Sequence, residues 1–282
     1  PAMDDVQFSE WQALLEERTG MHLPLQRRSF MQTSISLRMS ELGILDYNQY
    51  RQLLNKPEGI GAAEWYTLVD RLTVQETRFF RDTDALQLVT EFIRERQTKQ
   101  QKALNIWSLG CSSGEEAYTL AMTALQTHPE CEAELAIVGT DVSLPALKKA
   151  REGRYSARSL LHIPMEMRHW TQQKPQQTYF EVNDNLRRRC CFNMVNVLDL
   201  DSYPLNPQDI IYCQNLLIYF RRWRRREILN EAVKRLAPGG LLVLGLGEMN
   251  DWHHPQLERL KYSQITAFRN KANQSEWEKT RR

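Results

Sequence analysis

The chain has 282 residues, enough for one large domain or two modest domains with apolar cores. Its formal net charge of +2 gives no reason to expect binding to nucleic acid. No apolar run approaches the length of a membrane span, and the five cysteines lack the spacing of a zinc site. We therefore expect a cytoplasmic protein with reduced thiols, without a metal and without insertion into a membrane.

Residues 1–93 are predicted to form a small helical domain. Apolar residues recur at helical spacing in several short segments, and no segment of this region indicates a strand. A polar linker over residues 94–102 is expected to follow. The helical segments are Phe8–Leu15, Leu37–Leu42, Tyr47–Leu54 and Trp65–Leu72, with a break at Pro57–Gly61.

A strand–turn–helix unit between Ile106 and Leu125 is the most informative segment of the chain. An apolar strand ends at Leu109 in a turn of small residues, and apolar residues then recur at spacings of three and four. Such a unit is the nucleotide-binding corner of doubly wound α/β folds. Glycines such as Gly110 let the backbone approach a ligand that a Cβ atom would push away.

The residues of this turn do not favour a dinucleotide. Ser112 stands where a dinucleotide-binding loop needs a glycine, and Glu115 and Glu116 would repel a phosphate. S-adenosylmethionine fits better, because it carries a sulfonium, an amino group and ribose hydroxyls but no phosphate. The alternative is that both glutamates are first-turn residues stabilised by the helix dipole.

The strands that follow have the order of a class I S-adenosylmethionine-dependent methyltransferase. Leu135–Thr140 leads into Asp141, and an acid at this place in nucleoside-binding folds accepts hydrogen bonds from ribose hydroxyls. Asp209–Cys213 and Leu241–Gly245 indicate two further buried strands. We therefore expect an α/β, Rossmann-like domain with a mixed seven-stranded sheet over residues 103–270.

Residues 152–192 interrupt the α/β pattern. They contain two prolines, a glutamine-rich stretch and strand-like runs at Thr178–Val182 and Arg189–Met194. This composition predicts a small β subdomain inserted into the larger domain. Residues 271–282 are expected to form a polar tail.

Four motifs point to one family when they are taken together. They are Leu72–Asp82, Trp107–Glu116, Thr140–Asp141 and Cys213–Phe220. In this order they resemble the CheR family, the chemotaxis-receptor glutamate methyltransferases of bacteria, over about residues 8–270. The resemblance implies a helical N-terminal domain, a class I methyltransferase domain and a small antiparallel β insert. It also implies S-adenosyl-L-methionine as the cofactor, with S-adenosyl-L-homocysteine as the product.

The resemblance implies site residues where the motifs match. Gln75, Thr77 and Arg81 correspond to contacts with the methionine end of the cofactor, where a guanidinium can grip a carboxylate through two hydrogen bonds. Gly110 and Glu115 belong to the cofactor-binding turn, and Glu115 corresponds to the acid that faces the amino acid or the sulfonium.

The remaining cofactor contacts come from later motifs. Asp141 corresponds to the ribose-binding acid, and Asn196 and Val197 correspond to the contacts with the adenine. Gln214 and Asn215 follow the fourth strand, beside the reacting methyl group. These positions complete the cofactor site that the resemblance implies.

Three residues are expected to take part in catalysis: Arg81, Asn215 and Tyr219. Tyr219 matches the tyrosine of the family's Ile-Tyr-Phe block. The alternative for Tyr219 is a core aromatic residue that follows a strand.

The chain departs from the family at three places. The family usually has Asn where Gln75 stands, Arg where Gln214 stands, and His where Leu246 stands. Gln75 can still donate and accept hydrogen bonds. The loss of the arginine and the histidine fits either a divergent branch, such as one that serves a pilus or surface-motility receptor, or weaker catalysis.

The implied acceptor is a glutamate side chain in the cytoplasmic domain of a chemoreceptor. A carboxylate with a pKa near ~4.3 is already a nucleophile at neutral pH, so no general base is needed. Amine methyltransferases usually carry an Asn/Asp-Pro-Pro-Tyr motif after the fourth strand, whereas this chain has Gln214-Asn215-Leu216. Two alternatives remain: a small-molecule or RNA methyltransferase, and a signalling module that binds the cofactor without turnover.

The basic residues fall into two clusters, Arg221–Arg226 and Arg187–Arg189. They fit either a solvated face or a docking surface for an acidic partner. We expect no nucleic-acid partner and a monomeric protein.

Overall fold

The computed structural model describes residues 2–56, 58–73 and 76–273. Its first helices are α1 (Asp5–Thr19), α2 (Arg28–Glu41), α3 (Tyr47–Leu54) and α4 (Ile60–Leu72). Asp4 and Asp46 begin α1 and α3, because each side chain accepts a hydrogen bond from a backbone N–H of the first turn. The predicted helical domain is therefore present, although Pro57 of the predicted break and residues 274–282 of the predicted tail lie outside the described residues.

A buried carboxylate fixes α2, α3 and α4 relative to one another. Glu64 is only 5% exposed, and it accepts two hydrogen bonds of 2.7 Å from Arg38 and one of 2.5 Å from the Tyr50 hydroxyl. Burial alone would raise the pKa of Glu64, but these hydrogen bonds outweigh burial and the pKa is lowered. The ionised carboxylate is thus satisfied where it is buried.

Helix α5 (Thr83–Thr98) belongs with the sheet rather than with α1–α4. Its buried residues, among them Leu86, Val89 and Phe92, share one apolar core with the sheet and with the helix that follows the first strand. The boundary expected at residue 93 is therefore too late, and residues 94–98 are the last turns of α5 and not a linker. Two charged residues of this stretch pair with strands of the sheet, Arg96 with Asp209 and Glu95 with Arg269.

Ten strands occur within the described residues, and seven of them form one sheet in the order β6-β2-β1-β7-β8-β10-β9. Strands β6, β2, β1, β7 and β8 pair in parallel, whereas β10 runs antiparallel to β8 and to β9. This arrangement confirms the mixed seven-stranded, Rossmann-like sheet. In chain order the strands are β1 (Leu104–Leu109), β2 (Leu135–Asp141), β3 (Arg154–Ser156), β4 (Thr171–Gln172), β5 (Tyr179–Val182), β6 (Cys190–Met194), β7 (Gln208–Cys213), β8 (Leu236–Leu244), β9 (Leu257–Arg259) and β10 (Thr266–Asn270).

Helices connect the parallel strands and cover the sheet. Helix α6 follows β1 and packs against it, and α7 follows β2. Such crossovers bring the carboxyl ends of the parallel strands to one edge of the sheet. The helices are α6 (Glu115–Thr127), α7 (Leu144–Glu152), α8 (Asp184–Arg187) and α9 (Arg222–Val233).

The insert is a three-stranded antiparallel sheet in the order β3-β5-β4, as the resemblance implied. Tyr155 of β3 and Phe180 of β5 are buried, with ring centroids 5.8 Å apart. One part of the prediction is wrong, because Cys190–Met194 pairs in parallel with β2 as the edge strand of the main sheet. The insert therefore ends before residue 190 rather than at 192.

None of the described helices combines the length and the apolar character that a membrane span requires. The same residues contain no group of three or more His, Cys, Asp or Glu side chains placed to hold a metal ion.

Candidate functional site

A cavity of about 390 Å³ opens at the carboxyl ends of the central strands β1, β2 and β7. Ligands of open α/β sheets bind at this edge. The opposite wall comes from the segment that joins α1 to α2. Nine of the expected site residues line the cavity: Thr77, Arg81, Gly110, Asp141, Asn196, Val197, Gln214, Asn215 and Tyr219.

The turn between β1 and α6 bends through three residues with a left-handed backbone. They are Gly110 (φ 81°), Ser112 (φ 51°) and Gly114 (φ 96°). A Cβ atom on Gly114 would lie 2.8 Å from the Cβ of Ala150, so the close approach of α7 also requires glycine there. Ser112 has a Cβ and is strained in this conformation, so its neighbours must hold it in place.

Asp141 holds Ser112 and still has capacity for a ligand. One carboxylate oxygen accepts the Ser112 N–H at 2.9 Å, and the other accepts the Ser143 N–H at 3.0 Å. Burial raises the pKa of Asp141, and these N–H groups act against that rise. A carboxylate offers about four acceptor positions, so Asp141 can accept further hydrogen bonds from hydroxyl groups in the cavity.

The two adjacent glutamates of α6 point in different directions. Glu116 lines the cavity and accepts a 2.7 Å hydrogen bond from the Ser108 hydroxyl. Glu115 is 6% exposed, accepts a 2.5 Å hydrogen bond from the Ser113 hydroxyl and is absent from the cavity lining. Neighbouring positions on an α-helix differ by about 100° in direction, so only one of the two can face the ligand. Glu116 is therefore the acid that faces the cavity, and the structure does not bring Glu115 into the lining.

Burial changes the acidity of Glu116. It raises the pKa of the carboxyl to about 8, and the nearby Glu248 acts in the same direction. A cationic group bound beside Glu116 would lower this pKa and be held by the ionised form.

The loop after β7 presents Gln214, Asn215 and Tyr219 to the cavity. Gln214 is 7% exposed, and its Nε2 has no hydrogen-bond partner. An unpaired buried donor costs about 1–3 kcal/mol, so the amide group is suited to a ligand. Asn215 is exposed and has a left-handed backbone with φ 59°. Strained residues of this kind cluster at ligand sites.

The segment Glu76–Asp82 is an extended stretch with a turn, not a helix. Thr77 and Arg81 both reach the cavity from this segment. Arg81 is exposed and donates a hydrogen bond to the carbonyl oxygen of Glu76. The remaining residue expected in this motif, Gln75, lies outside the described residues.

Two phenylalanines hold this segment down. Phe79 is fully buried, and its ring meets the Tyr155 ring of the insert edge-on at 4.9 Å. The backbone N–H of Phe80 donates to the Thr119 hydroxyl of α6 at 3.2 Å. The segment is thus anchored to both the insert and helix α6.

The segment between α1 and α2 supplies cavity residues that sequence reasoning missed. Met21, His22 and Leu23 all line the cavity. Helix α1 ends at Thr19 and is capped by Gly20, and a glycine is a helix-stop signal that the sequence contains. Only the tertiary fold, however, places the residues after Gly20 at the site. The Asn196 side-chain amide donates to the Arg18 carbonyl oxygen at 2.6 Å, so this side chain already ties the two parts of the chain together.

The departures from the family lie in different places. Gln214 is buried in the cavity wall, so the missing arginine would have been at the site. Leu246 is 59% exposed and is absent from the cavity lining. Of the two larger departures, only Gln214 is therefore part of the site.

Most of the Arg221–Arg226 cluster is paired within the chain. Arg221 meets Glu16 at 2.9 Å, Arg222 meets Asp251 at 2.7 Å, and Arg224 meets Glu227 at 3.0 Å. These three arginines therefore have acidic partners within the described part of the chain.

The lining fits S-adenosylmethionine on chemical grounds. Asp141 offers acceptors for ribose hydroxyls, Glu116 offers a carboxylate for a sulfonium or amino group, and Arg81 offers a guanidinium for a carboxylate. The unpaired Nε2 of Gln214 supplies a buried donor.

Comparison with known proteins identifies the family of this chain. The family model described as CheR methyltransferase, SAM binding domain, matches residues 75–266, and the CheR methyltransferase all-alpha domain matches residues 7–73. The chain is similar to the chemotaxis protein methyltransferase of Escherichia coli, with 29% identity over 88% of this chain and 85% of that protein. It is 30% identical to that of Klebsiella aerogenes, over 87% and 84% of the two chains. It is 27% identical to that of Borreliella burgdorferi, over 81% and 83%.

The two family models divide the chain next to the cavity, at the segment that carries Thr77 and Arg81. They assign α5 to the cofactor-binding domain, as its packing does. The fold, the cavity and the family match agree: the chain belongs to the CheR methyltransferase family and is an S-adenosylmethionine-dependent methyltransferase.

Proposed function

We propose that the chain transfers the methyl group of S-adenosylmethionine to glutamate side chains in the cytoplasmic helices of a chemoreceptor, giving glutamate methyl esters. The relatives are named chemotaxis protein methyltransferases, which supports a receptor of this kind as the acceptor. The reaction would occur in the cytoplasm, where such receptor segments lie, with the chain acting as a monomer.

The distribution of charge in the cavity carries the proposal. Arg27, Arg78 and Arg81 line the cavity and are exposed, so they lie at its mouth. The lining also holds four acids: Glu76 is exposed at the mouth, whereas Asp82, Glu116 and Asp141 are partly buried. An anionic acceptor is therefore attracted to the mouth, and the inner acids suit the cationic donor.

Bound S-adenosylmethionine supplies a methyl group on a positively charged sulfur, which is a good leaving group. The acceptor carboxylate is ionised at neutral pH because its ordinary pKa is about 4.3, so no residue has to remove a proton. Arg27 and Arg78 at the mouth orient the acceptor carboxylate, while Gln214 and Tyr219 line the inner wall. Apolar side chains in the lining, such as Leu109, exclude water from the line of transfer.

The chemical nature of the product tests this proposal. The purified chain is incubated with methyl-labelled S-adenosylmethionine and a chemoreceptor cytoplasmic fragment, and the labelled fragment is then exposed to mild alkali. A glutamate methyl ester is hydrolysed under these conditions, so the label should be released as methanol. A fragment with its acceptor glutamates replaced by glutamine is the matched control and should remain unlabelled.

Alkali-stable label would indicate methylation of nitrogen or carbon and would overturn the carboxylate assignment. Label found in RNA or in a small molecule, with none in the fragment, would favour the other acceptor classes. Cofactor binding without transfer to any acceptor would indicate a signalling module.

A further inference from the structure

Glu248 is a buried acid close to the candidate site, and its burial there is not explained by any contact with the cavity. It is 5% exposed, follows β8 and is absent from the cavity lining. Its Oε2 accepts the backbone N–H of Asn215 at 3.0 Å, whereas its buried Oε1 has no hydrogen-bond partner. Burial raises the pKa of Glu248, and the nearby backbone groups of Asn215, Ile218 and Gly245 act against that rise. The carboxylate thus lies between the loop after β7 and the loop after β8 and is bonded to Asn215 of the first.

The surroundings of Glu248 are shaped for this role. A Cβ atom on Gly245 would lie 1.7 Å from Oε2 of Glu248, so only glycine leaves room for the carboxylate. Arg225 donates to the carbonyl oxygen of Glu248 at 2.9 Å and to that of Phe220 at 2.8 Å. The guanidinium therefore holds the far end of the loop after β7 while Glu248 holds its beginning.

The loop that is held in this way forms part of the cavity wall. Asn215, Ile218 and Tyr219 all line the cavity, and Asn215 has the strained left-handed backbone. Such a conformation persists only where the surrounding structure holds it. The hydrogen bond from the Asn215 N–H to Glu248 is a contact that holds this backbone in place.

We propose that Glu248 is a positioning residue for methyl transfer: it fixes the backbone of residues 215–218 so that the loop keeps its side chains at the cavity. Glu248 acts through the loop and does not touch the ligands. This inference rests on the proposed function only for its effect on kcat, which needs the glutamate acceptor. Amide hydrogen exchange of the loop does not need an acceptor.

Two variants of Glu248 and one control test the proposal. Glu248→Ala removes the acceptor, Glu248→Gln keeps one acceptor oxygen in place, and Asp251→Ala removes an exposed acid that pairs with Arg222 and contacts no loop backbone in the described structure. Amide hydrogen exchange at Asn215 and Ile218 is measured in each protein with S-adenosylhomocysteine bound, together with kcat and KM for transfer to the receptor fragment and the melting temperature.

In Glu248→Ala the two amides should exchange about 10- to 100-fold faster, and kcat should fall by a similar factor in protein that is still folded. Glu248→Gln should restore most of the protection and of kcat, and Asp251→Ala should match the parent chain. Unchanged exchange in Glu248→Ala would overturn the proposal. A kcat that falls equally in all three variants would also overturn it. The same holds for a kcat that falls only in proportion to the loss of folded protein. If the parent chain methylates no receptor fragment, the glutamate assignment fails, and the exchange rates still decide the role of Glu248.

Discussion

The backbone N–H of His22 donates to the carbonyl oxygen of Tyr219 at 2.8 Å, so the helical N-terminal part directly holds the loop that carries the candidate catalytic tyrosine. Next to this bond, Met21 and Phe220 pair as an isolated antiparallel bridge. The ion pair between Glu16 and Arg221 lies on the same seam. The helical part therefore forms one wall of the candidate site, and its buried residues share an apolar core with the sheet.

Replacing Asp141 by alanine should weaken the binding of both S-adenosylmethionine and S-adenosylhomocysteine. The ribose would lose an ionised acceptor, and the left-handed Ser112 would lose its hydrogen bond. We expect a loss of about 1.5–3 kcal/mol, or roughly 10- to 100-fold in Kd, by calorimetry. Asp141→Asn keeps the shape and one acceptor oxygen, so its loss should be smaller. Equal binding by the alanine variant and the parent chain would exclude Asp141 from the cofactor site.

The stability of the ligand-free chain should depend on pH through Glu116. Burial raises the pKa of Glu116 from 4.5 to about 8, so the folded state keeps a proton that the unfolded chain loses. The resulting stabilisation is complete below about pH 4.5 and is lost as the pH rises through about 8. Melting temperatures should therefore fall more steeply over this range in the parent chain than in Glu116→Gln.

Glu91→Gln, on the exposed face of α5, is the control for this prediction and should keep the parent pH dependence. If Glu116→Gln and the parent chain showed parallel pH profiles, Glu116 would not be the titrating group.

Replacing Gln214 by leucine should reduce cofactor affinity or transfer rate while leaving the ligand-free protein at least as stable. The unpaired Nε2 costs stability until a ligand accepts from it. We expect about a 5- to 100-fold loss in kcat/KM, without a decrease in melting temperature. The control is Gln208→Leu, because Gln208 is a second buried glutamine of the same strand region and lies outside the cavity lining. A loss of equal size in both variants would refute a ligand contact by Gln214.

Replacing Arg81 by lysine should weaken cofactor binding and leave the melting temperature of the ligand-free protein nearly unchanged. Lysine keeps the charge but loses the planar fork that grips a carboxylate through two bonds. Arg78→Lys is the matched control, since Arg78 is also an exposed arginine of the mouth. An Arg81→Lys protein that melts much earlier but binds the cofactor normally when folded would show that Arg81 has a structural role only.

The overall fold could be predicted from sequence because its strands are buried apolar runs in a recognisable order. The residues at which individual elements begin and end could not be predicted in this way. Residues 189–194 have the same local pattern whether they pair within the insert or with β2, and only the three-dimensional pairing decides. The charged residues at the end of α5 are typical of a linker in sequence. In the structure they continue a helix whose apolar side packs on the sheet.

The candidate site was predictable where a motif fixes the backbone. Gly110 and Asp141 fall at strand ends and line the cavity. Thr77 and Arg81, from the motif between α4 and α5, also line it. The choice between adjacent acids was not predictable, since a single helical step separates the one that faces the cavity from the one that does not. The wall formed by residues 21–23 has no local signature, because it arises from contact between segments that are distant in sequence.

The edge-to-face contact between Phe79 and Tyr155 links two regions that the sequence separates by more than seventy positions. Arg81 is two residues beyond Phe79, so the insert supports the segment that carries the guanidinium. Removal of the insert would leave residues 76–82 without an anchor on that side. A change far from the ligands, such as Phe180→Ala beneath the same ring, can therefore alter cofactor affinity without touching the cavity.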